Sequence, residues 1–176
     1  MIPLILVLVL AGCHPAIVPA DFEVPTGLET GQFRIRPITV ADAEKDYAAV
    51  MESIDLIHKA LLGDAWPPTN FTLEQNRADM AVKERHFAKH TSFTYTVVTP
   101  DESRVLGCVY INKGIGGPDA AVFLWVRQSA FDQGLDPVLE QAVRDWIHEQ
   151  WPFKWVVFPG RPDQTGKSHG PKGETP

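Results

Sequence analysis

The sequence predicts an α+β domain: a mixed, mostly antiparallel sheet with helices on both faces and one parallel βαβ unit at its C-terminal end. The stretch from Ala120 to Phe158 carries most of that prediction. An apolar run, Ala120-Ala121-Val122-Phe123-Leu124-Trp125-Val126, leads through Arg127 and a loop around Gly134 into a helical segment. A second apolar run, Trp155-Val156-Val157-Phe158, follows it. A strand, a crossover helix and a strand in so short a space make parallel neighbours. The other observation is a set of runs upstream, alternating over 32–38 and 93–97 and almost wholly apolar over 105–111. These read as the antiparallel strands of the same sheet.

In chain order, residues 1–21 stand apart. Ile2 to Leu10 is apolar but too short to cross a bilayer as a helix, and it leads into Leu10-Ala11-Gly12-Cys13. That tetrapeptide resembles the lipobox of bacterial lipoproteins, whose cysteine is lipidated and becomes the new N-terminus. No Lys or Arg precedes the apolar run, which departs from an export signal. Two readings stand: an N-terminal extension ahead of a cytoplasmic domain, which is preferred, or a membrane-anchored lipoprotein held through Cys13. Residues 14–31 carry Pro15, Pro19, Pro25, Gly27 and Gly31 and read as an extended lead-in.

Gln32 to Ile38 form the first strand. Thr39 and Asp42 have the spacing of a capping box, opening a helix with Ala43, Tyr47, Val50, Met51, Ile54 and Leu61 on one face. Gly63 to Asn70, with Trp66-Pro67-Pro68, break it. Thr72 and Gln75 open a second helix on the same logic, with Leu73, Met80 and Phe87 inward. Phe93, Tyr95 and Val97 alternate with threonines, Thr99-Pro100-Asp101-Glu102 makes a turn, and Val105 to Ile111 is the central strand. Asp136 reads as the N-cap of the last helix and Pro137 as its first residue. Val138, Leu139, Ala142, Val143, Trp146 and Ile147 are its apolar stripe, and Pro152 stops it. From Gly160 onward no apolar periodicity remains, so 161–176 is expected to be a disordered tail and 22–160 the folded domain.

Of 176 residues, 44% are hydrophobic and 22% charged, the balance of one globular domain with ends. Without the ends about 140 residues remain, enough for a single core. The net charge of −6 argues against a nucleic-acid partner and tolerates a cationic amine. Cys13 and Cys108 make no disulfide framework, and Cys108 falls in an apolar strand as a core residue. His86 and His90, with Glu84, have a helical spacing that can bind a metal, but they lie on a charged, solvated face without a third ligand. No metal is expected. Gly134 matters more, because it precedes a helix N-terminus, where unpaired N–H groups and the helix dipole favour a phosphate.

Phe33-Arg34-Ile35-Arg36-Pro37 entering a helix pair, the meander ending in Phe123-Leu124-Trp125-Val126, and the loop and helix after it resemble the GNAT superfamily of acyl-CoA N-acyltransferases. The resemblance runs over residues 22–160 and rests on pattern and order. In that superfamily the strands matching 120–127 and 155–158 splay apart and the pantetheine arm of the acyl-CoA enters the gap. The pyrophosphate rests on a loop of pattern Gln/Arg-x-x-Gly-x-Gly/Ala. The resemblance thus implies acetyl-CoA as co-substrate, bound by Trp125, Val126, Arg127, Gln133, Gly134, Leu135 and Asp136, with the Val126 region toward the thioester carbonyl. Only Gly134 keeps the loop pattern. Phe131 replaces the basic or amide residue. Asp136 brings a carboxylate that repels a pyrophosphate unless it turns away to cap the helix.

The superfamily's frequent strand glutamate, which deprotonates the amine, falls here on Ala120-Ala121-Val122. Its thiolate-protonating tyrosine lies in a helix that this sequence does not reach. Asp119 at the strand mouth is the substitute candidate base, and Tyr110 a second catalytic candidate. Trp66-Pro67-Pro68 falls where substrate-covering loops sit in that superfamily. The expected function is transfer of acetyl from acetyl-CoA to a primary amine of a small molecule or peptide, by direct attack in a ternary complex. The alternative is a non-catalytic binding module of the same fold with an eroded site. Trp155 to Phe158 would also leave an open sheet edge, which a homodimer pairing across it covers in the preferred reading, the alternatives being the lead-in 14–31 folded over it or a frayed edge.

Overall fold

A computed structural model describes residues 15–162 of the chain. Its sheet has six strands in chain order: β1 (Leu28–Glu29), β2 (Arg34–Pro37), β3 (Phe93–Val98), β4 (Val105–Lys113), β5 (Ala120–Val126) and β6 (Val156–Val157). Neighbours are antiparallel except β5 and β6, which run parallel. The helices are α1 (Ala43–Glu52), α2 (Ile54–Ala60), α3 (Leu73–Ala88), the short α4 (Gln128–Phe131) and α5 (Leu135–Gln150), which crosses from β5 to β6. This is the mixed α+β architecture expected, with its single parallel unit at the C-terminal end.

The two-residue period of a strand divides the core. Val122, Leu124 and Val126 of β5 pack with Leu139, Val143, Trp146 and Ile147 of α5. Phe123 and Trp125 point the other way, with Cys108 and Tyr110 of β4, toward Ala49 and Val50 of α1 and Ile57 of α2. A strand covered on both faces needs apolar residues at every position, which is why 120–126 reads as an unbroken run. Each such buried side chain contributes roughly 1.5–3 kcal/mol. The one polar atom that Trp125 brings inside is satisfied, since its indole Nε1 donates to the Tyr110 hydroxyl at 3.0 Å. Phe87 of α3 meets Phe93 and Tyr95 edge-on at 5.1 and 5.2 Å.

Several local expectations are corrected. The helix expected from Ala43 to Leu61 breaks at Ser53, whose Oγ takes the Gln128 N–H at 2.9 Å. Long-range bonds to the end of β5 there outweigh helical continuity. The Thr39–Asp42 capping box does not form. Thr39 caps only a 3-10 turn (Val40–Asp42), while the Asp42 carboxylate grips Arg36 at 2.7 and 3.2 Å. The Thr72–Gln75 box does form, with bonds of 3.2 and 2.9 Å. Asp136 is not the N-cap of α5. The helix starts at Leu135, and Gly134 takes the cap position in the left-handed region (φ 80°), which glycine reaches without strain.

The lead-in is part of the fold. Val18 is buried, the Ile17 N–H donates to the His90 carbonyl at 2.9 Å, and the Pro25 carbonyl accepts from the Tyr95 hydroxyl at 2.6 Å. Packing therefore starts before residue 22. At the other end Arg161, expected to open the tail, is tied down by four hydrogen bonds. Cys13 and residues 163–176 lie outside the described residues.

Candidate functional site

β5 and β6 pair only at Ala120 with Val156 and at Ala121 with Val157. Beyond that the two segments part, and a cavity of about 300 Å³ lies in the opening, with Trp125 and Val126 in its wall. Asp119 organises the closed end of this fork. Its Oδ2 accepts the N–H of Trp155 at 2.9 Å and of Lys154 at 2.8 Å, and these bonds hold its carboxyl below the usual range. A carboxylate fixed in that way is a clamp for β6 and a poor proton acceptor. The candidate base at Asp119 is thus engaged as a structural clamp.

The loop at the head of α5 is built differently from a phosphate cradle. The N–H groups of Phe131, Asp132, Gln133 and Gly134 donate to the carbonyls of Arg127, Gln128, Ala130 and Phe131 at 2.9, 2.9, 3.2 and 2.9 Å. Four consecutive amides are thus already engaged by the turn of α4. Asp136 and Glu140, one helical turn apart in the cavity wall, face the opening, and the Arg161 guanidinium lies between them. Burial works against ionisation of Glu140, but Arg161 and then Arg144 outweigh it and lower its pKa.

Arg127, expected at the cofactor, is turned inward. Its guanidinium pairs closely with Glu52 and donates to the Val105 carbonyl at 3.0 Å, while its own N–H goes to the Leu106 carbonyl at 2.7 Å. Arg127, with Ser129, holds the Glu52 carboxyl down at about 2. Of the residues expected to bind acetyl-CoA, Trp125 and Val126 lie at the opening. The amides of Gln133 and Gly134 are engaged, Asp136 is paired, and Arg127 is a structural tie. This arrangement does not favour a pyrophosphate: the amides of residues 131–134 are occupied and the carboxylates of Asp136 and Glu140 line the opening.

A larger cavity, about 650 Å³, lies between α3, the connector after α2 and strands β3 to β5, and is lined by Trp66, Tyr110 and Phe123 among others. Trp66 of the helix connector is part of the wall of this cavity. Lys83 of α3 projects here. Its Nζ pairs with Asp79 at 2.5 Å and stands 5.6 and 5.9 Å from the ring centroids of Trp66 and Tyr110. Burial pushes the Tyr110 phenol well above its usual pKa, so it stays protonated. Cys108 is a core thiol pushed up by burial, and it donates to the buried Asp46 at 3.6 Å. Glu84 holds the Val40 N–H at 2.7 Å. Among the described residues no group of three His, Cys, Asp or Glu side chains is arranged to hold a metal ion.

Sequence reasoning missed Glu52, Ser53, Glu140 and Arg161. A signal existed for one pair. Asp136 and Glu140 at i,i+4 repel on a bare helix, so their proximity called for a cation from elsewhere. Nothing local in the sequence pointed to Arg161, 21 residues beyond Glu140, as that cation.

No protein-family model matches the sequence. No curated protein matches it either. Solved structures do. A protein from Vibrio cholerae, described as a ribosomal-protein-serine acetyltransferase, superposes with a TM-score of 0.57 at 18% identity, covering 70% of this chain and 67% of its own. The microcin C7 self-immunity acetyltransferase MccE, solved with acetyl-CoA and AMP, gives 0.55 at 15% identity over 72% and 67%. A GNAT-family acetyltransferase from Bacillus anthracis gives 0.53 at 16% over 70% and 66%. This chain thus spans about two thirds of the length of each. It has the GNAT acetyltransferase fold, and at these identities the likeness speaks for the fold alone.

Proposed function

We propose that the chain is an N-acyltransferase, transferring acetyl from a thioester donor of the acetyl-CoA class to a primary amine. The observation that carries this reading is the parting of β5 from β6 after Ala121, beside a second cavity suited to an amine. The larger cavity already accommodates one ammonium group, that of Lys83, against Asp79 and the rings of Trp66 and Tyr110. An acceptor amine brings the same chemistry, whether on a small molecule or at the N-terminus of a peptide. The ribosomal-protein enzyme among the structural neighbours favours the peptide. The chain's own part is to hold the acceptor near β5 and exclude competing water, and positioning of this kind is a large share of catalysis. Tyr110, kept protonated by burial, is the hydroxyl on that wall.

The test is incubation of the whole chain with acetyl-CoA and a panel of amines and short peptides, following thiol release and product mass. Acetylated product above the acceptor-free control is the expected result. Its absence across the panel overturns the reading.

One observation favours the second reading, a binding module of the same fold: Arg161 fills the opening beside β5, bonded to Asp136 and the Leu124 carbonyl. The readings part over compartment, because acetyl-CoA is a cytoplasmic metabolite. Mass spectrometry of the mature N-terminus separates them, since a lipid on Cys13 goes with the module and an unmodified extension with the enzyme.

A further inference from the structure

Residues 159–162 run from the end of β6 back across the mouth of the opening. Gly160 turns there (φ 78°), so close to Leu62 beyond α2 that a Cβ at position 160 would stand 2.8 Å from its Cδ2. Arg161 then drops into the gap. Its Nη1 donates to Asp136 Oδ2 at 2.9 Å and Glu140 Oε2 at 2.6 Å, and its Nη2 to Asp136 Oδ1 at 2.8 Å and the Leu124 carbonyl at 3.3 Å. Its side chain is 16% exposed. Arg144 of α5 fastens the far end, donating to the Pro162 carbonyl at 3.2 Å and lying 3.9 Å over the Phe158 ring. Forked, charge-assisted bonds of this kind are the strong ones, and shielding from water strengthens them further.

The geometry points to residues 159–162 as a strap bound in cis, an autoinhibitory contact in which Arg161 fills the cleft and the two carboxylates that hold it turn away anionic, nucleotide-bearing donors. The inference rests on the acyltransferase reading of the same cleft. With the strap in place, Arg161 occupies the gap. With the strap out and nothing else changed, Asp136 and Glu140 present two carboxylates to an incoming pyrophosphate. Neutralising both carboxylates removes the repulsion and weakens the grip to that of neutral acceptors, so that Arg161 is released more readily as a cation at the mouth. The strapped state is thus the favoured member of a closed–open pair, and a ligand or substitution shifts the pair only by its preference for one state.

The experiment uses the whole chain. Calorimetry with CoA compares wild type with Asp136→Asn/Glu140→Gln, and hydrogen exchange follows the amide of Arg161, which donates to the Phe158 carbonyl at 3.1 Å while the strap is seated. The double variant is expected to bind CoA at least tenfold more tightly and to exchange that amide faster. Arg161→Gln, which leaves α5 untouched, is expected to speed the same exchange without a gain in CoA affinity. Unchanged exchange in Arg161→Gln overturns the strap, whatever the double variant does. Equal CoA affinity in wild type and double variant overturns it while leaving the acyltransferase reading standing. A released strap with no CoA binding in any form overturns both.

Discussion

Two arginines near β5 show how one residue type serves the fold instead of a ligand. Arg127 is buried with its guanidinium on Glu52 and the Val105 carbonyl, and so joins the break between α1 and α2 to the end of β5. Removing Glu52 leaves that cation without its anion, so Glu52→Ala should cost ~1–2 kcal/mol of stability, since the glutamate itself is partly exposed. The pair also sets a pH dependence. Glu52 ordinarily titrates at 4.5 and is held at about 2 in the fold. Its folded form resists protonation, so its contribution is complete above 4.5 and is lost as pH falls toward about 2. Urea unfolding at pH about 6 and about 3 should show the gap between wild type and Glu52→Gln narrowing at the lower pH. An equal gap at both values would show that the pair does not stabilise the fold through charge.

At the scale of elements, β6 is, with β1, one of two weak members of the sheet. It has two paired residues, and Asp119 holds the backbone just ahead of it. Asp119→Ala should therefore loosen one element without unfolding the rest. The amides of Lys154 and Trp155 should exchange about tenfold faster while β3 and β4 stay protected. Asp119→Asn keeps a carbonyl acceptor and should retain most of the protection. It should also keep whatever acetyl transfer the wild type has, whereas loss of transfer with β6 intact would restore Asp119 as a base. The strands were legible because burial on both faces demands unbroken apolar runs, as in 105–111 and 120–126. The break at Ser53 was not, because its cause is a partner 75 residues away. β1 escaped notice because Leu28-Glu29, two residues among prolines and glycines, has no periodicity to read.

The whole molecule shows the same division between local pattern and distant partner. Gly134 at the head of α5 was visible in the sequence, but the meaning of Asp136 beside it depended on Arg161, which the chain brings back only after β6. The oligomeric state turns on a similar point. Four apolar residues, Trp155 to Phe158, predict an open ladder and with it a homodimer. The strand is in fact Val156–Val157, and the opposite edge, β1, is equally short. Short edge strands are a recognised protection against edge pairing, and Pro159 follows β6 two residues on. A two-residue ladder falls well below the roughly 1,200 Å² that a specific interface buries. The charge of −6 further opposes the meeting of two copies. Light scattering behind size-exclusion chromatography should find a monomer at tens of micromolar, with Trp155→Lys leaving the mass unchanged. A doubled mass that Trp155→Lys returns to one chain would show that this edge pairs after all, and that the side chain of Trp155 contributes area the backbone ladder lacks.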